Sequence, residues 1–288
     1  MNKKLNRNDP CWCNSKKKYK HCHFEFDETL KSLSYQGYPI PNRKLIKSRK
    51  DLEGIKKSCQ LTKFILDELN TIIKPGITTN EIDKWVYDTT LKHHAKPAPL
   101  NYKGFPKSIC TSINEVICHG IPEDRILKEG DILNVDVTCI IDGYFGDSCR
   151  MYPIGNISQQ AKRLIDVTKE CLEESIKQLR PFDPINKIGD VISEIAKRES
   201  YSIVKMFGGH GTGNQFHEDP FIFHYKKNEK LMICAPGMVF TIEPMINEGS
   251  EECIILEDNW TAVTKDKSLS AQWEHTVYVN EDKIEILT

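Results

Sequence analysis

Apolar positions follow two rhythms along the chain. From Asp51 onward, Ile55, Cys59, Thr62, Leu66, Leu69 and Ile73 recur three or four residues apart, which predicts one buried face of a helix. Lys74-Pro75-Gly76 ends it. Thr78, with Glu81 three residues on, has the form of a capping box, and a second helix follows through Ile82, Trp85, Val86 and Thr89. The pattern then turns strand-like. ILNVDVTCI and YFGDSCRMY flank Asp142-Gly143, a dipeptide suited to a two-residue turn, so an antiparallel hairpin is predicted. AKRLIDVTKECLEESIKQLR returns to the helical rhythm, with Leu164, Cys171, Leu172, Ile176 and Leu179 inward, and a further helix is expected from about Lys187 to Arg198. Strands come back in CAPGMVFTIEPMI and near the end in EHTVYV and KIEIL.

Each half therefore reads as two helices followed by sheet. The correspondence extends to single residues. Asp136 stands six residues after Gly130 in LKEGDILNVD, and Glu243 six residues after Gly237 in CAPGMVFTIE. The expectation is an internally duplicated α+β fold, its halves facing across a pseudo-two-fold axis around antiparallel sheet.

Composition narrows the class. Of 288 residues, 39% are hydrophobic and 28% charged, as in ordinary soluble globular proteins, which excludes collagen-like, coiled-coil and wholly disordered chains. No apolar run approaches the roughly 18 residues of a membrane helix. MNKKLNRNDP lacks the apolar centre of an export signal, so a cytoplasmic protein without membrane contact is expected. Charge is unevenly spread. Residues 1–50 hold 13 Lys/Arg against 4 Asp/Glu, whereas the rest holds 27 against 37. A basic head on an acidic body suggests two modules with different partners. The eleven cysteines, odd in number, suit free thiols or metal ligands.

Three of those cysteines lie in the head, in PCWCNSKKKYKHCHF. Cys11, Cys13, Cys22 and His23 have a spacing that can wrap one tetrahedral zinc, with His21 an alternative to His23. A segment this short has no core, so metal would fold it, with Trp12 and Tyr19 as a small apolar base. The pattern Cys-x-Cys, eight residues, Cys-His resembles the SEC-C motif, although Asn14-Ser15-Lys16 stands where that family usually has Gly-Ser-Gly. The resemblance implies docking to a protein or ribosomal partner. Lys16, Lys17, Lys18 and Lys20 suit a phosphate backbone, or simply form a solvated charge run. The expected organisation is a zinc motif over residues 1–26, a linker over 27–44 containing two prolines, and a body over 45–288.

The body concentrates acids on apolar strands. Pairing the hairpin about its turn sets Thr138 opposite Asp147 and Asp136 opposite Cys149. Asp136 and Asp147 then share a face as diagonal neighbours, about 7–8 Å apart at Cα. Two like charges there are costly unless a cation lies between them. Glu243 sits similarly in VFTIEPM, Glu274 opens EHTVYV, and His210 lies in GGHGTGNQFH, which leads to His217. Four carboxylates and an imidazole can hold two divalent ions about 3.5–4 Å apart. Such oxygen-rich ligation suits manganese, iron or cobalt better than a thiolate zinc site.

Five segments together resemble the type I methionine aminopeptidases, over roughly residues 45–288: YKGFPKSICTSINEVICHGIP, GDILNVDVTCIIDGYFGDSCRMY, GGHGTGNQFHEDP, GMVFTIEP and NWTAVTKDKSLSAQWEHT. The type II enzymes carry an insertion between His210 and Glu243, and only 32 residues separate them here. The resemblance implies the pita-bread fold and metal-dependent removal of the first methionine from nascent polypeptides by a monomeric enzyme. Asp136 would bind one metal, His210 and Glu243 the other, and Asp147 and Glu274 would bridge two ions of cobalt, manganese, iron or zinc. Glu243 would be the general base, His217 would steady the scissile carbonyl, and His119 would contact the peptide nitrogen. Tyr102, Phe105, Cys110, Phe216 and Trp260 match the methionine pocket, and Asn114, Val116 and Ser270 a sodium or potassium site. Phe105 stands where many relatives have Tyr, Phe145 where they commonly have His, and Thr212 and Asn214 where Ile and Arg are commoner. The competing readings are a proline-directed aminopeptidase or dipeptidase of the same fold, a catalytically dead binding module, and a ribosome or translocase adaptor carrying an enzyme.

Overall fold

A computed structural model describes residues 5–288. Helix α1 spans Phe24–Tyr35, α2 Arg49–Ile72 and α3 Thr79–Lys92. Strands β1 (Lys96–Pro97), β2 (Cys110–Ile113), β3 (Val116–Cys118), β4 (Ile132–Ile141) and β5 (Tyr144–Pro153) follow. Helices α4 (Gln159–Gln178) and α5 (Asn186–Glu199) open the second half. Its strands are β6 (Ser202–Ile203), β7 (Gly209–Gly211), β8 (Glu218–Ile222), β9 (Val239–Ile242), β10 (Met245–Asn247), β11 (Cys253–Ile255), β12 (Ala262–Thr264), β13 (Ser270–Gln272), β14 (His275–Val279) and β15 (Ile284–Ile286).

The hairpin has the register its turn dictates: Thr138 faces Asp147, and Asp136 faces Cys149. Asp142 and Gly143 have φ of 53° and 84°, the left-handed pair that a tight hairpin turn requires. Strand β4 also pairs antiparallel with β1 and β2. In the second half the order is β15-β14-β9-β7-β8, again antiparallel. Smaller sheets, β13-β10-β6 and β11-β12-β3, complete the body.

Helices α2 and α3 cover the first sheet, and α4 and α5 the second. Ile55, Cys59, Leu66 and Leu69 of α2 are fully buried, as are Leu164 and Cys171 of α4. The capping box of Thr78 and Glu81 is formed in both directions. The duplication is visible in the turns before the two acids. Gly130 and Gly237 have φ of 93° and 94°. Each donates its N–H to a carbonyl at the far end of the strand antiparallel to the one it precedes, Ile154 just past β5 at 2.9 Å and Val279 at the end of β14 at 2.8 Å. The halves join where β5 meets β14. Ser148 Oγ donates to the Glu274 carbonyl at 2.6 Å, and Thr276 Oγ1 to that of Asp147 at 2.7 Å. That seam brings acids from both halves together.

The expected linker over 27–44 is corrected. Helix α1 runs through the boundary at residue 26 and docks on the body. Leu30 is buried in the α4–α5 core with Phe26 and Leu33 packed beside it, and the Phe26 ring lies 6.0 Å from Phe182. Three apolar side chains at i, i+4 and i+7 suffice for an edge-mounted helix. The prolines that suggested a linker, Pro39 and Pro41, come after it. Even there the chain is tied down, since Ile233 donates its N–H to the Pro39 carbonyl at 3.0 Å. No described helix is long and apolar enough to cross a membrane.

Candidate metal centre and substrate cavity

Asp136, Asp147, His210, Glu243 and Glu274 line one cavity of about 830 Å³. Ligand atoms of Asp147, His210 and Glu274 all lie within 4.8 Å of one another. His210 Nε2 is 3.6 Å from Asp147 Oδ2 and 3.7 Å from Glu243 Oε1. Its Nδ1 sits 3.0 Å from the Gly211 carbonyl, which can only accept, so Nδ1 points away from the acids and Nε2 faces them, the orientation a metal ligand needs. Asp136 enters from β4 beside them, its Oδ1 buried and without a hydrogen-bond partner.

Burial raises all four carboxyl groups. Asp136 is pushed well above the carboxylate range by desolvation and then by neighbouring Asp147; Glu243 and Glu274 rise similarly, and Asp147 also rises through burial. Four acids with one imidazole and an orphaned carboxylate oxygen form a donor set suited to divalent cations, whose charge would remove that penalty. The candidate ligands are held from behind. Thr138 Oγ1 donates to Asp147 Oδ1 at 2.6 Å, Thr241 Oγ1 to Glu243 Oε1 at 2.7 Å, and Gln272 Nε2 to Glu243 Oε2 at 3.3 Å. The Glu243 N–H donates to His224 Nε2 at 3.1 Å. Burial pushes His224 down to about 3, so the ring is neutral and free to accept. Thr241 was legible as two positions before Glu243 on an alternating strand. His224 and Gln272 carry no spacing signal, because distant strands bring them in.

All seven residues matched to substrate contacts line the same cavity. His217 stacks on Tyr102 at 5.2 Å and lies 4.1 Å from His210. Phe216 stands 4.8 Å from Tyr102, and Phe105 meets the Trp260 ring edge-on at 5.2 Å. Cys110 lies directly opposite Asp136 across β2 and β4. His119 adopts a left-handed φ of 57° and packs against Phe207 at 5.3 Å. Burial, then the neighbouring His210, lowers His119 to about 4 and His217 to about 3, so both rings are neutral near pH 7. Two of the departures, Phe145 and Thr212, have local contacts. Phe145 stacks on Phe216 at 5.9 Å, and buried Thr212 donates its hydroxyl to the Phe216 carbonyl at 3.0 Å, pinning the loop that carries His217. Met206, Phe207 and Met245 also line the cavity and were not anticipated.

Asn114 and Ser270 are brought together by a backbone hydrogen bond of 2.9 Å, with Ser270 Oγ buried and unpartnered. The Asn114 side chain is spent on Asp131 and on the Ile132 N–H. Val116 pairs with Val263 on the adjoining sheet. In the head, Cys11, Cys13, Cys22 and His23 place their ligand atoms within 4.8 Å of one another. His23 Nδ1 is 3.2 Å from both Cys11 and Cys22 sulfurs, whereas His21 is exposed and outside the cluster. Asp27 of α1 anchors this cluster, its Oδ2 accepting from Trp12 Nε1 at 3.1 Å and Tyr19 OH at 2.6 Å.

Comparison with known proteins gives the family of both parts of the chain. Residues 53–281 match metallopeptidase family M24, and residues 7–25 match the SEC-C motif. A methionine aminopeptidase of Chlamydia trachomatis is 46% identical over 292 residues, 99% of each chain. Methionine aminopeptidase A of Synechocystis is 51% identical over 242 residues, covering 84% of this chain and 96% of its own. The crystal structure of methionine aminopeptidase from Rickettsia prowazekii superposes with a TM-score of 0.83 at 46% identity, over 84% of this chain and 98% of that one. With the duplicated pita-bread body, the acid-rich cavity and the cysteine-histidine head in place, this chain belongs to metallopeptidase family M24, among its methionine aminopeptidases, and carries an N-terminal SEC-C motif.

Proposed function

We propose that the protein removes the N-terminal methionine from peptides and nascent polypeptides. The observation that carries this is the convergence of five metal-ligand side chains and an aromatic, sulfur-containing pocket on one cavity. Asp136 would hold one divalent ion, His210 and Glu243 a second, with Asp147 and Glu274 between them. Such ions, whether cobalt, manganese, iron or zinc, supply acidification of water and polarisation of the scissile carbonyl. Glu243, oriented by Thr241 and Gln272, accepts the proton of the attacking water and passes it toward the leaving amine. His217, neutral and facing the cavity, donates its N–H to the carbonyl oxygen as charge develops there. His119 contacts the peptide nitrogen. The acid-lined inner end receives the free α-amino group, which confines cleavage to the first residue. Phe105, Cys110, Phe216 and Trp260 surround the methionine side chain, and their aromatic edges suit a thioether.

The four head ligands would hold a structural zinc, and the Asn114, Val116 and Ser270 group a sodium or potassium ion. A monomer in the cytoplasm, working on chains emerging from the ribosome and docked there by the basic head, fits this activity. Residues 1–26 and 45–288 remain the proposed functional units, with α1 fastening one to the other. The test is release of the first residue from Met-Gly-Met-Met and from a matched Xaa-Pro peptide, using metal-stripped protein reloaded with manganese, iron or cobalt. Metal-dependent release of methionine alone is expected. Cleavage only before proline would move the protein to its proline-directed relatives, and no cleavage by metal-loaded protein would favour a binding module.

A further inference from the structure

We infer that the arm joining the zinc-ligand cluster to the body forms one wall of the cavity mouth, and that Lys44 on this wall selects for acidic residues downstream of the cleaved bond. The inference rests on the aminopeptidase reading. Lys44 and Leu45 line the same cavity as the metal ligands. They belong to a single 3-10 turn, Arg43–Leu45, in which the Asn42 side chain accepts the Lys44 N–H at 3.0 Å.

The turn is fastened at both ends. On the head side, Arg43 Nη2 pairs with Asp27 Oδ2 at 2.7 Å, and its guanidinium lies 4.9 Å over the Trp12 ring. On the body side, Lys47 donates its N–H to the Gly237 carbonyl at 2.8 Å, and its buried Nζ pairs with Glu218 at 2.5 Å. An arm anchored this way presents Lys44 at a defined place with little ordering cost on binding. Leu45 packs against the core, while Lys44 is exposed.

Charge at the rim favours acidic partners. Glu218 is neutralised by Lys47, and of the remaining charges at the rim Lys44 and Lys103 outnumber Asp219, with Lys103 held over the Tyr102 ring and Lys44 free on the arm. An exopeptidase holds its first residue at the inner end, so the rest of the chain must leave through the mouth. Three extended residues span about 10 Å, on the scale of this cavity, so side chains just beyond the cleaved bond pass the arm.

The test uses full-length, metal-loaded enzyme and three peptides: Met-Ala-Ser, Met-Ala-Ser-Glu-Glu-Ser and Met-Ala-Ser-Lys-Lys-Ser. The wild type is expected to prefer the acidic hexapeptide by about fivefold in kcat/KM, through KM and less so at high salt, as a solvent-exposed ion pair dictates. Lys44→Glu is expected to reverse that order and leave the tripeptide unchanged. The same acidic-to-basic ratio in wild type and Lys44→Glu, with tripeptide turnover intact, would overturn the inference alone. No methionine released by wild type from any of the three would overturn the aminopeptidase reading and this inference with it.

Discussion

Gly146 sits where helix α2 crosses strand β5, one residue before Asp147. A Cβ placed on it would lie 2.2 Å from Cys59 N, 2.4 Å from Ser58 C and 2.6 Å from Cys59 Cα. These are backbone atoms, so no rotamer change relieves the clash. Ordinary contact needs about 3.5–4.0 Å between carbons, and Gly146→Ala must therefore part helix from strand by roughly 1 Å. Two hydrogen bonds bridge that seam: Ser58 Oγ to the Tyr144 carbonyl at 2.8 Å and Thr62 Oγ1 to the Gly146 carbonyl at 2.7 Å. Stretching both costs about 1 kcal/mol each or more, because their groups stay buried. Overpacking adds about 1–3 kcal/mol. The sum, about 4 kcal/mol, corresponds to a melting temperature lowered by roughly 10 °C for a domain of this size. Differential scanning calorimetry in chelator would measure it without metal linkage. Gly54→Ala is the contrast: its Cβ meets the Tyr144 ring at 2.1 Å, a half-buried side chain able to swing aside, so a smaller fall is expected. A change under 2 °C for Gly146→Ala, or a larger loss at Gly54, would refute the reasoning.

Two further outcomes follow from the site and the head. His119, held to about 4 against an ordinary value near 6.5, takes up a proton more readily unfolded than folded below pH 6.5, so stability present at pH 7 is lost as pH falls toward 4. Denaturant melts of His119→Asn should lose about 2 kcal/mol less than wild type between pH 7 and pH 5, and equal slopes would contradict a neutral buried ring. Cys22→Ser should release about one zinc per chain by native mass spectrometry and leave Met-Ala-Ser cleavage intact; unchanged zinc content would remove Cys22 from the head's ligand set.

Much of this site was legible because short-range rules governed it. Asp142-Gly143 forces a two-residue turn, the turn sets the β4–β5 register, and the register puts Asp136 and Asp147 on one face. Gly130 and Gly237 repeat the same entry into a strand six residues before an acid. Helix α1 leaves little trace in the sequence because its apolar face is only three residues wide and Pro39 and Pro41 follow it closely. His21 and His23 could not be separated by spacing, since both lie within reach of a ligand cluster; the turn after Tyr19 aims only His23 inward.

The amino-acid order alone determined helices α2 to α5, the β4–β5 hairpin and its register, the duplication and the candidate ligand residue types, all of which depend on neighbours a few positions apart. Tertiary structure decided the rest. It set the seam between β5 and β14 that brings acids of two halves within reach of one imidazole. It recruited His224 and Gln272 to hold Glu243, and it turned an apparent linker into an arm that fastens the head and lines the cavity. These are contacts between residues tens to hundreds of positions apart, and only the packing of helices onto sheets selects which of them form.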